Sequence, residues 1–536
     1  MSAVPTKSYD VVVIGAGFGG LYALYELRRR GWSVHSFESG DGPGGTWYWN
    51  RYPGARVDIE SMIYSYSFDE DLQQEWQWPE HFSPQPDLER YANHVADRFD
   101  LRRDITFGTS VTSLTYDDAA APWLVETDTG DRVAASFIVA ATGSLHAVNW
   151  APLPGLESFE GQQVHTARWP ADGVDFDGKR VAVVGTGSTG IQVIPVVAAE
   201  AGHLVVLQRT ANFSLPSRNQ EMDSTYEQEW KSQYAERRRM MQRTATMAEL
   251  MGMKTRSIWS VTEEERESIL EEAWNSRSGF RFSGSFAETR VDLAANDIVA
   301  EFIRRKIRQI VDDPITAEKL CPKGYPLGTK RTCLDTGYYE TFNLPHVDLV
   351  DLRSEAIETV LPHGLRTSER EFGLDVIIHA TGFDAMSGAL SRIDVRGRDG
   401  LKLTEHWTDG PRTHLGMVVA GFPNLFMIHG PGSPSVLAQM IMAGEWQVDW
   451  IAGLLDLVRD SRRKTVDTTA DAEDRWAIEV HEAAQKTLYP MADSWYVGAN
   501  IEGKPRVFSI YVGGFDRYVD LCNAARTDDY AGFVLG

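Results

Sequence analysis

The chain carries, twice over, a glycine pattern that few folds can use even once. The run YDVVVI, residues 9–14, is short, apolar and β-branched, which suits a strand buried on both faces. It runs into Gly15-Ala-Gly17-Phe-Gly19-Gly20 and then LYALYELRRRG, whose apolar spacing is helical and whose end is marked by Gly31. WSVHSF, residues 32–37, reads as a second strand that closes at Glu38. In this arrangement Gly15 makes the tight turn, Gly17 lets the backbone approach a pyrophosphate, and Gly20 allows the helix to pack closely. The helix N-terminus stabilises the phosphates, and a carboxylate in the position of Glu38 would hold ribose hydroxyls. The full order of strand, turn, helix, strand and acid predicts a dinucleotide site; GxGxxG alone would not.

The second copy, KRVAVVGTGSTGIQVIPVVAA followed by HLVVLQRT, differs in its acid. Gly185, Gly187, Ser188, Thr189 and Gly190 form its turn, but Gln208, Arg209 and Thr210 stand where the first copy has Glu38. An acid there would repel a 2′-phosphate, whereas an arginine and a hydroxyl would bind one, so the second site reads as NADP-selective. Two sites suggest one cofactor that stays and one that delivers hydride: FAD in the first and NADPH in the second. The uncharged run 181–199 is long enough to imitate a membrane span, but the GTGSTG inside it reads as strand, turn and helix. No export signal or transmembrane segment is expected.

Composition narrows the partners. The 53 basic and 76 acidic side chains leave a net charge of −23, which opposes binding to nucleic acid or to an anionic membrane. The three cysteines, Cys321, Cys333 and Cys522, lack metal-ligand spacing and are too few for a disulfide framework. They read as reduced thiols in a cytoplasmic protein, with no metal site. At 536 residues the chain exceeds one ordinary core.

The expected fold class is α/β, two Rossmann-like dinucleotide-binding domains with a helical insertion. The FAD-binding domain is expected over 1–145 and 382–536, and the NADP-binding domain over 152–216 and 328–380, with linkers at 146–151 and 381. FIVAATG and LDVIIHATGFD, each a strand ending in Ala-Thr-Gly, suit the places where the chain passes between them. The insertion, 221–323, is charged and helical in pattern, for example NDIVAEFIRRKIRQIVDD, with an Asn or Asp cap expected at its start. Its methionines, among them Met240, Met241, Met247, Met251 and Met253, read as packing residues.

FAD with NADPH leaves disulfide reduction, quinone reduction and oxygen activation open, and the missing redox cysteine pair removes the first. A protein that only senses nucleotides is a further alternative. The stretch FEGQQVHTARWP then bears on the choice: Phe159-x-Gly161-x-x-x-His165-x-x-x-Trp169-Pro170 resembles the signature of the Baeyer-Villiger monooxygenases. These flavoproteins insert one oxygen atom of O2 beside a ketone carbonyl. GGTWYWNRYPGARVDIES, KGYPLGTKR, ATGFDA, GPGSPS and SWYVGANIEGKPRVFSIYVGG extend the resemblance over essentially the whole chain, most loosely in the helical insertion.

The resemblance implies an NADPH- and O2-dependent enzyme that turns ketones into esters or lactones through a flavin C4a-peroxide. It implies flavin-side contacts from Thr46, Trp47 and Asp58, and an arginine over the flavin in Arg331. Such chemistry needs a fixed cation, and arginine keeps its charge at any working pH, so Arg331 is the better candidate than Lys330. Asp58 would orient it. Lys330, Arg209 and Thr210 would hold the 2′-phosphate, and Trp495 would close over the cofactor. Val436, Leu437 and Met440 would line a pocket for a hydrophobic ketone. His165 and Trp169 are expected to anchor a linker whose rearrangement couples NADP binding to closure, with direct proton transfer by His165 as the lesser alternative. The alternative within enzymes is a flavin monooxygenase that oxygenates sulfur or nitrogen.

Overall fold

The structure, a computed structural model, describes residues 7–119, 122–244, 256–277 and 282–536. Two sheets organise it. In the first, Lys7–Ile14 lies between Val34–Phe37 and Arg132–Ala140, parallel to both. Val11, Val12 and Val13 are fully buried, as a β-branched central strand covered on both faces requires. Ile105–Thr106 extends one edge in parallel, while Val111–Tyr116 and Trp123–Thr127 join the other antiparallel. The C-terminal part of the chain returns to this sheet: Leu425–Met427 pairs in parallel with the end of Arg132–Ala140, and Asp394–Arg396 with Val111–Tyr116.

The second sheet is wholly parallel, in the order Val347–Asp351, His203–Gln208, Arg180–Val184, Val376–His379, Gln162–His165. Each sheet sends a glycine turn into a helix, Phe18–Arg29 from the first and Ser188–Glu200 from the second. The uncharged run around residue 190 is thus strand, turn and helix. Among the described residues no helix is long and apolar enough to cross a membrane. The second strand of the first sheet begins at Val34, two residues later than its sequence suggests.

The long helix Met440–Asp460 covers Phe18–Arg29, fixed by Tyr22 donating to Asp449 at 2.7 Å and by Arg30 paired with Asp456 at 2.7 Å. The segment between the two parts of the second sheet contains the helices Ser224–Met241, Glu263–Trp274, Leu293–Ile310 and Pro314–Leu320. One expectation here is corrected. The helix Leu293–Ile310 is capped by Asp292, whose side chain accepts from Ala295 N at 2.8 Å, and not at Asn296 or Asp297. Asn296 is buried inside the helix, where its amide donates to the Thr289 and Leu327 carbonyls; apolar periodicity cannot reveal a buried polar clamp of this kind. Met241 is buried and Met240 is 43% exposed, so only the first packs; Met247, Met251 and Met253 lie outside the described residues.

The stretch carrying His165 and Trp169 is not a free connector. Gln162–His165 is the edge strand of the second sheet, in register with Val376–His379. Gly161 permits the approach, since a Cβ there would lie 2.5 Å from both the Asp375 carbonyl oxygen and the Phe159 ring. Phe159 and Trp169 are buried, Trp169 against Phe176 at 6.1 Å between ring centroids.

Candidate active site

The two glycine turns share one geometry. Gly15 and Gly185 have φ of +101° and +108°, where a side chain would be strained. A Cβ on Gly20 would lie 2.0 Å from the Gly15 carbonyl oxygen, and one on Gly190 would lie 2.2 Å from that of Gly185. Each turn therefore tolerates nothing larger than hydrogen at its third glycine, which is what lets the helix start so close to its strand. A Cβ on Gly187 would meet nothing within 4 Å, so the backbone there faces open space.

Glu38 closes the first unit as a buried carboxylate. Its oxygens accept from Ala16 N and Gly40 N, each at 2.7 Å. Burial raises its pKa, and the two backbone donors oppose that rise.

A cavity of about 1400 Å3 runs between the two units. Gly185, Gly187, Ser188, Thr189, Arg209, Thr210 and Lys330 line it, together with Thr46, Trp47, Asp58, Arg331, Val436, Leu437, Met440 and Trp495. The structure thus brings these sequence candidates to a single space. Gly15, Gly17, Gly20, Glu38 and Gly190 are not among the lining residues and belong to the turns behind it.

Arg331 is the best-held group in the cavity. Nε donates to Asp58 Oδ2 at 2.6 Å, Nη2 to Oδ1 at 2.8 Å, and Nη1 to the Val436 carbonyl at 3.0 Å. The side chains of Arg331 and Asp58 are 28% and 25% exposed, so both reach the cavity surface. Burial would lower the pKa of Arg331, but the charge and hydrogen bonds of Asp58 outweigh it and raise the value. Burial would raise Asp58, and the guanidinium likewise overrides it and holds the carboxyl below its ordinary value. The pair is therefore ionised throughout the working range of pH.

Elsewhere on the lining, Lys330 and Arg209 stand as neighbouring cations. Burial and then the Arg209 charge depress the Lys330 pKa. The Lys330 ammonium lies 4.9 Å from the Tyr325 ring centre. Among the described residues neither cation forms an ion pair, although carboxylates outnumber cations along the chain. Two adjacent cations without an ion-pair partner among the described residues fit a dianionic phosphate.

His165 does not line this cavity. It is 1% exposed, and its Nδ1 accepts from Ala167 N at 3.0 Å. That bond puts the proton of the neutral ring on Nε2, which lies 3.2 Å from Thr381 Oγ1; Thr381 in turn donates to the Asn149 carbonyl at 2.6 Å. Burial pushes the His165 pKa down to about 4, so the ring is uncharged at neutral pH. Trp169 and Pro170 line a separate cleft of about 450 Å3 with Arg51, Gln85 and Val196.

Two residues near Arg331 escaped the sequence reading. Tyr496, 2% exposed, lies close enough to Arg331 for the guanidinium charge to act on its hydroxyl, and Tyr489 lines the same cavity. Tyr496 directly follows Trp495 in SWYVG, which was the available signal; Tyr489 had none.

A family model described as pyridine nucleotide-disulphide oxidoreductase matches residues 9–255. A phenazine N-monooxygenase of Lysobacter antibioticus is 40% identical over 98% of this chain and 97% of its own length. A Baeyer-Villiger monooxygenase of Pseudooceanicola batsensis is also 40% identical, over 98% and 96%. The solved structure of an oxidized steroid monooxygenase bound to NADP superposes with a TM-score of 0.93 at 46% identity, covering 99% of both chains. Cys321, Cys333 and Cys522 are buried and unpaired, so the resemblance to the first family lies in its dinucleotide folds and not in a redox disulfide.

Proposed function

The chain belongs to the Baeyer-Villiger monooxygenases, and from that membership we infer that it is an FAD- and NADPH-dependent enzyme converting a hydrophobic ketone to an ester or lactone with O2. When bound, FAD and NADPH supply the redox chemistry: hydride from the nicotinamide and activation of dioxygen on the reduced flavin. The fit of the chain to both groups rests on the two glycine turns, on the buried Glu38, and on the uncompensated Arg209 and Lys330. We assign FAD to 1–145 and 382–536, supported by the return of Leu425–Met427 to the first sheet. NADP goes to 152–216 and 328–380, supported by the pairing of Val376–His379 with Arg180–Val184. Residues 221–323 are the helical insertion, and 146–151 and 381 the linkers.

The observation that carries the reading is the guanidinium of Arg331, anchored on Asp58 and reaching the cavity wall beside Val436. Its charge is permanent and preorganised, so it stabilises negative charge developing beside the reacting carbonyl without reorganisation. Asp58 keeps the fork oriented. Gly187, Ser188 and Thr189 offer backbone and hydroxyl donors at the helix start, where the dipole favours phosphate. Arg209, Thr210 and Lys330 select the 2′-phosphate. Val436, Leu437 and Met440 supply an apolar wall, and Trp495 closes the cavity. The buried neutral His165 acts as an anchor, tying the edge strand to Thr381 and Asn149. Three unpaired buried thiols support a reducing compartment, the cytoplasm.

The similarity to a phenazine N-monooxygenase favours a second reading, oxygenation of nitrogen or sulfur. Product analysis separates the two. With NADPH and a panel of cyclic, aryl and steroid ketones, the ketone reading expects products heavier by one oxygen and identified as esters or lactones. Heteroatom oxides alone, with every ketone returned unchanged, would overturn it.

A further inference from the structure

The cavity's basic side chains divide into engaged and unengaged groups. Arg331 is engaged by Asp58, Arg56 by Glu80 at 2.9 Å, and Arg517 by Glu479 at 2.7 Å. Arg209 and Lys330 are unengaged, and the 2′-phosphate accounts for them. A second unengaged pair remains, Arg290 and Lys486, both exposed and both lining the same cavity. Neither has an ion-pair or side-chain hydrogen-bond partner among the described residues, in a chain whose net charge of −23 supplies carboxylates in excess.

The backbone segments that carry the two cations are tied together. Leu488 N donates to the Arg290 carbonyl at 2.9 Å, which joins the end of the short helical turn Ala287–Arg290 to the segment just beyond Lys486. Tyr489, the next residue, feels the positive charge of both Arg290 and Arg331 at its hydroxyl. Val436 and Leu437 are on the apolar lining near Arg331. Of the lining carboxylates, Asp58, Glu479 and Asp493 already meet arginines. Glu502 stands in a turn held elsewhere, where Asn500 donates to Phe383 and Lys504 pairs with Asp384.

From this layout, and resting on the ketone reading above, we propose that the enzyme's preferred substrates are ketones bearing a carboxylate, with the carbonyl at Arg331 and the acid group at Arg290 and Lys486. An amphipathic molecule satisfies all three features: an anion for the uncompensated rim, an apolar body for the walls, and a carbonyl at the engaged guanidinium. A neutral ketone would leave two cations facing the cavity without a counter-charge. A carboxylate on a rim site is partly solvated, so each cation contributes about fivefold in binding at most.

The test compares the methyl-ketone acids 5-oxohexanoate, 7-oxooctanoate and 9-oxodecanoate with their methyl esters, using the FAD-loaded enzyme and NADPH. The expected result is a kcat/KM for at least one acid about tenfold above that of its ester, shrinking as ionic strength rises. In Arg290→Ala and in Lys486→Gln the acid-to-ester ratio falls severalfold, and Arg290→Lys restores most of it. Equal kcat/KM for acids and esters across the series overturns the proposal while leaving the ketone reading intact, because the methyl esters are still oxygenated. A raised KM for NADPH in Arg290→Ala, with the acid-to-ester ratio unmoved, also overturns it by assigning the arginine to the nucleotide. If none of these ketones gives an oxygenated product, the proposal fails, and the panel of cyclic, aryl and steroid ketones decides separately whether the ketone reading stands.

Discussion

Arg331 and Asp58, 273 positions apart in the chain, meet through two parallel hydrogen bonds of 2.6 and 2.8 Å. This fork fixes the guanidinium plane, and the third bond, to the Val436 carbonyl, fixes its tilt. A lysine could carry the charge but not the plane. Arg331→Ala is expected to lower ester formation by about a hundredfold or more, the loss typical of a preorganised donor at a reacting oxygen, with FAD content near normal. Arg331→Lys should recover little of it. Product yield per NADPH, with hydrogen peroxide measured alongside, checks this; an Arg331→Lys enzyme making ester at the native rate would remove the case for the fork.

Asp58→Asn keeps the shape of the partner and removes its charge. Because both side chains are partly open to the cavity, the folded state should survive, and the cost should appear as peroxide leakage more than as lost protein. Thermal melting and the peroxide-to-ester ratio together distinguish this from simple unfolding.

The two third glycines give a paired prediction. Gly20→Ala would place a methyl 2.0 Å from a backbone oxygen in the first turn, and Gly190→Ala would place one 2.2 Å from a backbone oxygen in the second. Backbone at both positions cannot yield cheaply, so each turn should deform locally. Gly20→Ala should purify with little or no yellow colour. Gly190→Ala should remain yellow but bind NADPH weakly. A yellow Gly20→Ala protein with intact flavin affinity would contradict the assignment of FAD to the first turn.

Removing either nucleotide-end cation, by Arg209→Ala or Lys330→Ala, should raise the KM for NADPH by about tenfold and leave that for NADH almost unchanged. Steady-state kinetics with both cofactors measures the change in preference. Equal losses with NADH would mean the pair holds some part of the nucleotide other than the 2′-phosphate.

Buried neutral histidines set an acid limit. His165, His379 and His414 are each pushed by burial from an ordinary 6.5 to about 4. Below pH 6.5 the unfolded chain takes up protons there that the folded chain does not, so stability falls as the pH drops toward about 4. Glu445 acts in the opposite sense: burial lifts it from 4.5 to about 7, so its contribution is present at low pH and is lost as the pH rises through that value. His81, His146 and His429 are likewise pushed to about 4, so six histidines act together between pH 7 and pH 5. Against them stand Glu445 and the carboxyls of Glu38, Asp87, Asp335 and Asp449, which burial raises from lower ordinary values. The Asp58 carboxyl, held below its ordinary value, adds to the histidines at lower pH still. Melting temperatures should therefore fall between pH 7 and pH 5, and a flat or rising profile would show that the histidines take up protons in the folded state.

The dinucleotide folds were legible in the sequence because their signals are local. A β-branched run, a glycine turn and a helix start lie within about twenty residues, and each glycine answers to a steric demand from a neighbour that is also near in sequence, as Gly20 does to Gly15. The family signature was equally legible as a string, yet its role was not. Only the folded chain shows that Gln162–His165 is an edge strand, that Gly161 exists to clear Asp375, and that the His165 ring is sealed between Thr381 and Ala167. Nor does local sequence mark Tyr489 or the unengaged Arg290 and Lys486 as neighbours of one cavity. Backbone conformation is decided by residues a few positions away, and these the sequence displays directly. Whether a charge is paired, and which side chains share a space, depends on contacts hundreds of positions apart, and those exist only after the two sheets have closed around the cavity.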